Sequence, residues 1–135
     1  MPAGYSGTPL AKKLGLRDGM SVWVMNMPES VRTEVERDAQ PDWRDSAIGA
    51  PHAAHIFSTN RNEMADALVS LRQEIAQDGF IWASWPKKAS EVETDITEDV
   101  IRDIALPVGL VDIKVCAIDE TWSGLKLVIR KELRD

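Results

Sequence analysis

The sequence predicts a three-layer α/β domain with a mostly parallel sheet that ends in an antiparallel hairpin. Short apolar runs at residues 20–25, 54–58 and 80–85 each precede a signal that starts a helix or a turn. Runs this apolar are typical of parallel strands that are buried on both faces. The last third of the chain instead alternates apolar and polar residues on both sides of a short turn at Trp122-Ser123-Gly124. Two alternating strands joined so closely predict an antiparallel pair.

The first predicted element is a short helix near the N-terminus. Thr8 is its expected N-cap, Pro9 its first helical residue and Gly15 its stop. Residues 20–25 follow as a central parallel strand that we expect to be buried on both faces. Pro28 then opens a second helix.

The middle of the chain contains one poorly patterned stretch and one clear strand and helix. Residues 39–53 are interrupted by prolines and a glycine, and they predict at most a short edge strand between residues 43 and 48. Residues 54–58 are the next strand. Asn60, followed three residues later by Glu63, predicts the start of a long amphipathic helix.

The remaining elements are a third apolar strand, a helix and the hairpin. Residues 80–85 form the strand, Thr97 is the expected cap of the helix, and Pro107 stops it. The alternation of residues 111–117 predicts a half-exposed edge strand whose odd-numbered residues face inward. Residues 122–131 are the last strand.

Length and composition set the class of protein. With 135 residues, the chain fits one domain at residues 1–135, with an N-terminal arm and short helix at 1–19 and an α/β core at 20–135. A net charge of −6 argues against a nucleic-acid partner. No apolar stretch approaches the roughly 20 residues that cross a bilayer, so we expect no membrane partner. The single cysteine, Cys116, suits a reducing compartment, and we expect a cytoplasmic protein.

The order of elements resembles the class I methyltransferase variety of the Rossmann-like fold, which also ends its parallel sheet with an antiparallel hairpin. The resemblance implies that the last strand lies between the strand at residues 80–85 and the strand that begins near Leu110. Such enzymes carry a glycine-rich turn after the first strand, where this chain has Asn26-Met27-Pro28-Glu29. Without small residues there, the backbone does not easily approach a cofactor. The sequence identifies no particular cofactor.

Three strings carry a more specific resemblance, which spans the chain. They are Gly4-Tyr5-Ser6-Gly7-Thr8-Pro9-Leu10-Ala11-Lys12-Lys13-Leu14-Gly15, Trp85-Pro86-Lys87-Lys88-Ala89-Ser90 and Asp119-Glu120-Thr121-Trp122-Ser123-Gly124-Leu125-Lys126. Together they resemble a family of small bacterial proteins that is known only as a domain of unknown function. This resemblance implies a bacterial source and no particular activity.

The predicted site lies at the carboxyl edge of the sheet, where open α/β sheets bind their ligands. The candidate ligand-binding residues are Trp85, Lys87, Lys88, Ser90, Trp122, Asn26 and Arg61. Ammonium groups and helix N-termini suit a small anionic metabolite, and two indoles offer walls for it. The leading hypothesis is therefore a Rossmann-like module that binds a small anion.

Two other functions remain open. A methyltransferase-like enzyme would use Asp119 or Glu120 as a general base and a lysine as electrostatic stabiliser. An interaction protein would form a homodimer or bind a partner through the edge strand near residues 110–118. The lysines also have a plain structural explanation, because they can pair with the acidic residues from Glu91 onward, and each tryptophan can serve in packing alone.

Weaker candidates lie elsewhere. His52 and His55 stand three residues apart, but the segment runs into a strand, where such residues face opposite ways, so we predict no metal site. Cys116, on an alternating strand, is expected to be a packed residue. Residues 5–13 supply hydroxyls, a glycine and two lysines, which predict either a capped helix or an arm that folds over the Lys87 site.

Overall fold

The computed structural model describes residues 7–46 and 48–135. Its centre is a six-stranded sheet in the order β2-β1-β3-β4-β6-β5. The strands are β1 (Ser21–Met25), β2 (Asp42–Arg44), β3 (Ala53–Phe57), β4 (Phe80–Pro86), β5 (Leu110–Ala117) and β6 (Trp122–Ile129). The first four are mutually parallel, and β6 runs antiparallel between β4 and β5. The predicted fold class and the predicted place of the last strand are both confirmed.

Helices cover both faces of this sheet and make a three-layer molecule. They are α1 (Leu10–Leu14), α2 (Glu29–Glu36), α3 (Arg61–Glu74) and α4 (Glu98–Ala105). We call the face under α1 and α2 the α1 side, and the face under α3 and α4 the α3 side. Each side has its own apolar core, in which alternate residues of β4 take part: Trp82 on the α1 side, and Ile81 and Trp85 on the α3 side.

The predicted caps of the two helices on the α3 side are confirmed. The Asn60 side chain accepts a hydrogen bond from the Glu63 backbone N–H at 2.9 Å, and the Thr97 hydroxyl accepts one from Val100 at 3.2 Å. Each cap satisfies one of the donors that a helix leaves unpaired in its first turn. Both helices therefore begin where the sequence places them.

The start of α1 differs from the prediction. The helix begins at Leu10, and Pro9 precedes it with an extended backbone at φ −56° and ψ 144°. The Pro9 carbonyl accepts from the Lys13 N–H at 3.0 Å, so Pro9 occupies the cap position and Thr8 lies outside the helix. A proline's fixed φ suits either position, and only ψ distinguishes them. Gly15 ends the helix as expected, in the left-handed region at φ +72°.

The strand β1 is central, as predicted, but it is not buried on both faces. Trp23 and Met25 point to the α3 side and remain half-buried. The chain passes from β2 to β3 across β1 in residues 45–52, a stretch too short for the helix that usually makes such a crossover. Without that helix, this part of the sheet face is incompletely covered.

The strand β5 departs from simple alternation. A bulge between Asp112 and Lys114 shifts its register against β6, which leaves Ile113 and Val115 more than half exposed. The expectation that the odd-numbered residues of β5 face inward is wrong, because an inserted residue reverses the alternation that follows it. Leu110 and Cys116 are the buried residues instead. A lysine and a bulge on an edge strand both discourage pairing with another sheet.

No helix in residues 7–46 and 48–135 is long and apolar enough to span a membrane.

Candidate functional site

The carboxyl ends of β1, β3, β4 and β5 meet at one edge of the sheet, as parallel alignment requires. The strand order reverses between β1 and β3, since the chain leaves β1 for β2 on one side and returns to β3 on the other. In open α/β sheets, such a switch point opens the crevice in which ligands bind.

The crevice at the switch point is bridged by Asn26. Its side-chain amide donates to the Phe57 carbonyl at 3.1 Å and reaches the Glu63 carboxylate at 3.4 Å. The Ser58 hydroxyl donates to the same carboxylate at 2.7 Å. Asn26 has a φ of +58°, a conformation that glycine adopts more easily than other residues. A polar network between β1 and β3 thus fills the place where a glycine-rich turn would leave room.

The N-terminus of α3, beside this crevice, also finds hydrogen-bond partners within the protein. The Arg61 backbone N–H donates to the Asp95 carboxylate at 2.7 Å, and the Thr94 hydroxyl donates to the Thr59 carbonyl at 2.7 Å. These contacts fasten the loop after β4 over the end of β3. The Arg61 side chain itself is exposed. A carboxylate already occupies a position at which a helix N-terminus could hold a bound anion.

Trp85 opens into a cavity of about 470 Å³ on the α3 side. Its charged lining residues are Lys88, Glu91, Glu93 and Glu98. One ammonium among three carboxylates does not make a cavity that attracts anions. The predicted Ser90 hydroxyl serves the turn above it, where it donates to the Lys87 carbonyl at 2.7 Å.

Trp122 packs on the opposite side of the sheet from Trp85. Its ring meets Phe57 edge-on at 5.2 Å between centroids, within the α1-side core. Trp122 is the cross-strand neighbour of Pro86, whereas Trp85 is the neighbour of Ser123, so their side chains leave opposite faces. The two indoles therefore do not line one pocket.

The positive charges of three lysines, Lys13, Lys87 and Lys114, act on Cys116 on the α1 side, and we call these three residues the lysine cluster. Burial raises the pKa of the Cys116 thiol, and the positive charges of the three lysines oppose that rise. The Lys13 ammonium donates to the Ala117 carbonyl at 3.2 Å, next to the thiol. The structure thus brings residues from α1, the end of β4 and the edge strand β5 to one place on an acidic protein.

The cluster continues along β6 to Lys126, which lies directly opposite Lys114 in the antiparallel register. The Lys126 ammonium sits 4.4 Å from the centre of the Phe80 ring and 5.9 Å from that of Trp82. Burial, and then the charge of Lys114, lower the pKa of Lys126. Like charges directly opposite each other destabilise a strand pair, so the cationic face carries a cost to stability.

Neither Lys87 nor Lys114 forms an ion pair with any residue that the structure describes. Lys114 is a residue that the sequence argument passed over. In the sequence, Asp112 and Lys114 look like successive polar residues of a regular strand, so the bulge between them cannot be recognised. Only the pairing of Lys114 with Lys126 shows that Lys114 belongs to the α1 side.

The two carboxylates proposed as general bases lie in the turn between β5 and β6. Asp119 accepts hydrogen bonds from the backbone N–H groups of Thr121 at 2.8 Å and Trp122 at 2.7 Å. It therefore fixes the turn, as aspartates commonly do. Glu120 is exposed. Neither arrangement gives the desolvated carboxylate that a tuned general base requires.

The two histidines also separate. His55 is fully buried in β3 and shares a 2.7 Å hydrogen bond with the Ser84 hydroxyl, whereas His52 is half-buried just before the strand. Burial lowers the pKa of His55 to about 3, and its Nδ1 atom has no hydrogen-bond partner in the described structure. No group of three or more histidine, cysteine or acidic side chains capable of holding a metal ion occurs within residues 7–46 and 48–135.

Solved structures with the same fold include methyltransferases. Magnesium protoporphyrin IX methyltransferase (ChlM) from Synechocystis, with bound SAH, matches with a TM-score of 0.55 at 12% identity, over 89% of this chain and 78% of that one. A TehB-like SAM-dependent methyltransferase from Corynebacterium glutamicum matches with a TM-score of 0.52 at 9% identity, over 95% and 91%. OxaC, in complex with SAH and oxaline, matches at 0.61 and 9% identity, over 91% of this chain but only 46% of its own. The fold is therefore that of class I methyltransferases.

Within that fold, the chain belongs to the family described as "Protein of unknown function (DUF3052)", which matches residues 11–131. No curated protein matches it. The resemblance carried by the three sequence strings is thereby confirmed at the level of an unknown-function family.

Two of these solved structures contain SAH, whereas side chains bridge the switch point of this chain. The Asn26 side chain crosses the crevice to the Phe57 carbonyl, and Glu63 and Ser58 complete the bridge. A cofactor placed there would have to break these contacts and approach a turn without glycine. The crevice at the switch point of this chain is therefore bridged by its own side chains.

Proposed function

We propose that the protein is a methyltransferase-like Rossmann module that binds a small anion without catalysing a reaction. The binding residues in this proposal are the lysine cluster, with Lys87 as its member at the carboxyl edge of the sheet. Trp122, on the same side, is the aromatic neighbour of the site, whereas Trp85, Lys88 and Ser90 are not part of it. We also infer a cytoplasmic location, which the single cysteine supports.

The observation that carries this proposal is the placement of lysines around the end of β5: the Lys13 ammonium donates to the Ala117 carbonyl at 3.2 Å, the Lys87 backbone N–H donates to the Thr121 carbonyl at 2.7 Å, and Lys114 lies in β5 itself. Their positive charges act together at Cys116, although the chain as a whole has a net charge of −6. A local cationic surface on an acidic protein attracts small anions while the net charge discourages nucleic acid. The like-charge pair of Lys114 and Lys126 gives an anion a further effect, since binding would relieve their repulsion.

The geometry favours binding over transfer chemistry. Asp119 is committed to its turn, Glu120 is exposed, and Asn26 bridges the crevice that a methyl donor would occupy. A methyltransferase-like enzyme needs both a donor site and a base close to it. A methyltransferase-like enzyme is therefore the alternative function, and a thermal-shift screen that includes S-adenosylmethionine tests it.

A homodimer remains a second candidate, supported by one observation. Ile113 and Val115 on the edge strand β5 are 56% and 54% exposed. If these two side chains pack against a second copy, sedimentation will show twice the monomer mass, and Val115→Lys will restore the monomer. A monomer at all concentrations would remove this candidate.

A thermal-shift screen tests anion binding directly. We expect pyrophosphate, sugar phosphates or nucleotides to raise the Tm, because a ligand that binds only the folded state stabilises it. The increase should disappear in Lys87→Gln and persist in Lys88→Gln, which removes the same charge one residue away on the other side of the sheet. A shift with S-adenosylmethionine instead would favour the transferase, and no shift with any anion would contradict the proposal.

A further inference from the structure

A groove lies on the α3 side between β1 and α3, away from the lysine cluster. It has a volume of about 520 Å³. Trp23 and Met25 of β1 form one wall, and residues of α3 form the other. The α4 helix contacts α3, but none of the residues that line the groove belongs to α4.

The groove exists because the crossover from β2 to β3 is short. Residues 45–52 make that connection, and the described part of them contains no helix. A right-handed crossover from β2 to β3 passes over β1 on the α3 side, so a helical connection would cover Trp23 and Met25. The eight-residue connection leaves them half-buried instead.

The wall formed by α3 has the spacing that helices use to pack on one another. Its lining residues include Glu63, Asp66, Ala67 and Ser70, which recur at intervals of three, one and three. Such a stripe lies along one face of a helix over about two turns. Small residues at Ala67 and Ser70 leave room for another helix to approach closely.

The charge and the side-chain chemistry of the groove indicate which kind of partner segment fits it. Glu63 and Asp66 place two carboxylates on the rim, and the Asp66 side chain makes no hydrogen bond or ion pair with any described residue. Tryptophan and methionine are among the residues enriched where proteins bind one another. An acidic rim around an apolar floor complements a helix with one apolar face and basic flanks.

We propose that this groove docks a basic amphipathic helix of a partner protein, which takes the place of the absent crossover helix. The partner's apolar face would lie on Trp23 and Met25, and its lysines or arginines would meet Asp66 and Glu63. This interaction goes beyond anion binding and uses none of the residues of the lysine cluster.

A designed peptide tests the groove. The probe is a fluorescein-labelled leucine and lysine peptide of about 14 residues, or roughly four helical turns, with leucine at helical spacing. Its matched control replaces every lysine with glutamate. We expect the basic peptide to bind the full-length protein in a fluorescence anisotropy titration and the acidic peptide not to bind.

Three variants assign that binding to the groove. Asp66→Lys reverses a rim charge, and Ser70→Trp fills the groove without changing charge; each should weaken binding at least about tenfold. Asp103→Lys, on an exposed position of α4, changes net charge by the same amount and should leave affinity within about twofold. Equal effects of the two aspartate variants, or no binding of the basic peptide, would overturn the proposal. A dimer in sedimentation that Asp66→Lys dissociates would also overturn it, because the occupant would then be a second copy.

Discussion

His55 lies in the middle of β3 on the α1 side, with its ring stacked on Phe57 at 4.2 Å between centroids. Burial alone lowers its pKa to about 3, so the folded state holds the imidazole neutral. The unfolded chain takes up a proton near the ordinary histidine pKa of about 6.5. The contribution of His55 to the free energy of unfolding is therefore fully present above that pH. It is lost as the pH falls from about 6.5 towards 3.

His55→Gln tests this titration, since glutamine can keep a hydrogen bond to Ser84 but does not titrate. Between pH 7 and pH 5, the free energy of unfolding of the native protein should fall by about 2 kcal/mol more than that of the variant. Urea denaturation at several pH values gives both curves. Parallel curves would show that His55 does not set this pH dependence.

Lys87 and Lys88 show how far single residues can be assigned from sequence. The string that contains them was correctly expected to follow a buried strand and to reach the carboxyl edge. Which side of the sheet each ammonium joins depends on the twist and turn after Pro86, and no residue pattern records that. Lys88 lines the α3-side cavity, whereas the charge of Lys87 acts on Cys116, which belongs to the α1 side.

In the hairpin of β5 and β6, residues of the candidate anion site also affect the free energy of unfolding. Lys114 and Lys126 are directly opposed, and like charges in that position cost free energy. Lys114→Glu should raise the free energy of unfolding by about 0.5 kcal/mol and weaken anion binding at the same time. Lys131→Glu, on an exposed residue after β6, makes the same charge change and should do neither.

Chemical denaturation and calorimetric titration of the two lysine variants measure these effects. If Lys114→Glu is less stable than the native protein, the two lysines are not in repulsion. If it binds anions as tightly as the Lys131 variant does, Lys114 is not part of the site.

Elements were predictable where periodicity or a cap marks them, as at Asn60 and Thr97. They were not predictable where a single inserted residue changes a register. The bulge in β5 is invisible because Val111, Ile113 and Val115 alternate with polar residues as a regular strand would. One face of β1 is half-exposed because the crossover from β2 to β3 is short. That crossover lies 20 residues or more after β1 in the chain, so the local sequence of β1 does not reveal its effect.

The molecule as a whole joins a methyltransferase fold to a switch point that Asn26 closes. The order of buried and amphipathic segments predicts the α/β class, whereas the place of the last strand between β4 and β5 came from the resemblance to class I methyltransferases. Cofactor binding depends on a few residues at one edge, so it can be lost while the fold is kept.

Calorimetry with S-adenosylmethionine checks this separation of fold and cofactor. We expect no binding at concentrations up to about 1 mM, because the Asn26 network occupies the crevice. Binding in the micromolar range would show that the network opens and would return the transferase to first place.

The central claim is that the lysine cluster, and not the string at residues 85–90 as a whole, binds a small anion. Calorimetric titration of pyrophosphate into the native protein, Lys87→Gln and Lys88→Gln tests it most directly. The account predicts at least about a tenfold loss of affinity in Lys87→Gln, and affinity within about twofold of native in Lys88→Gln. Equal losses in both variants, or native affinity in Lys87→Gln, would contradict it.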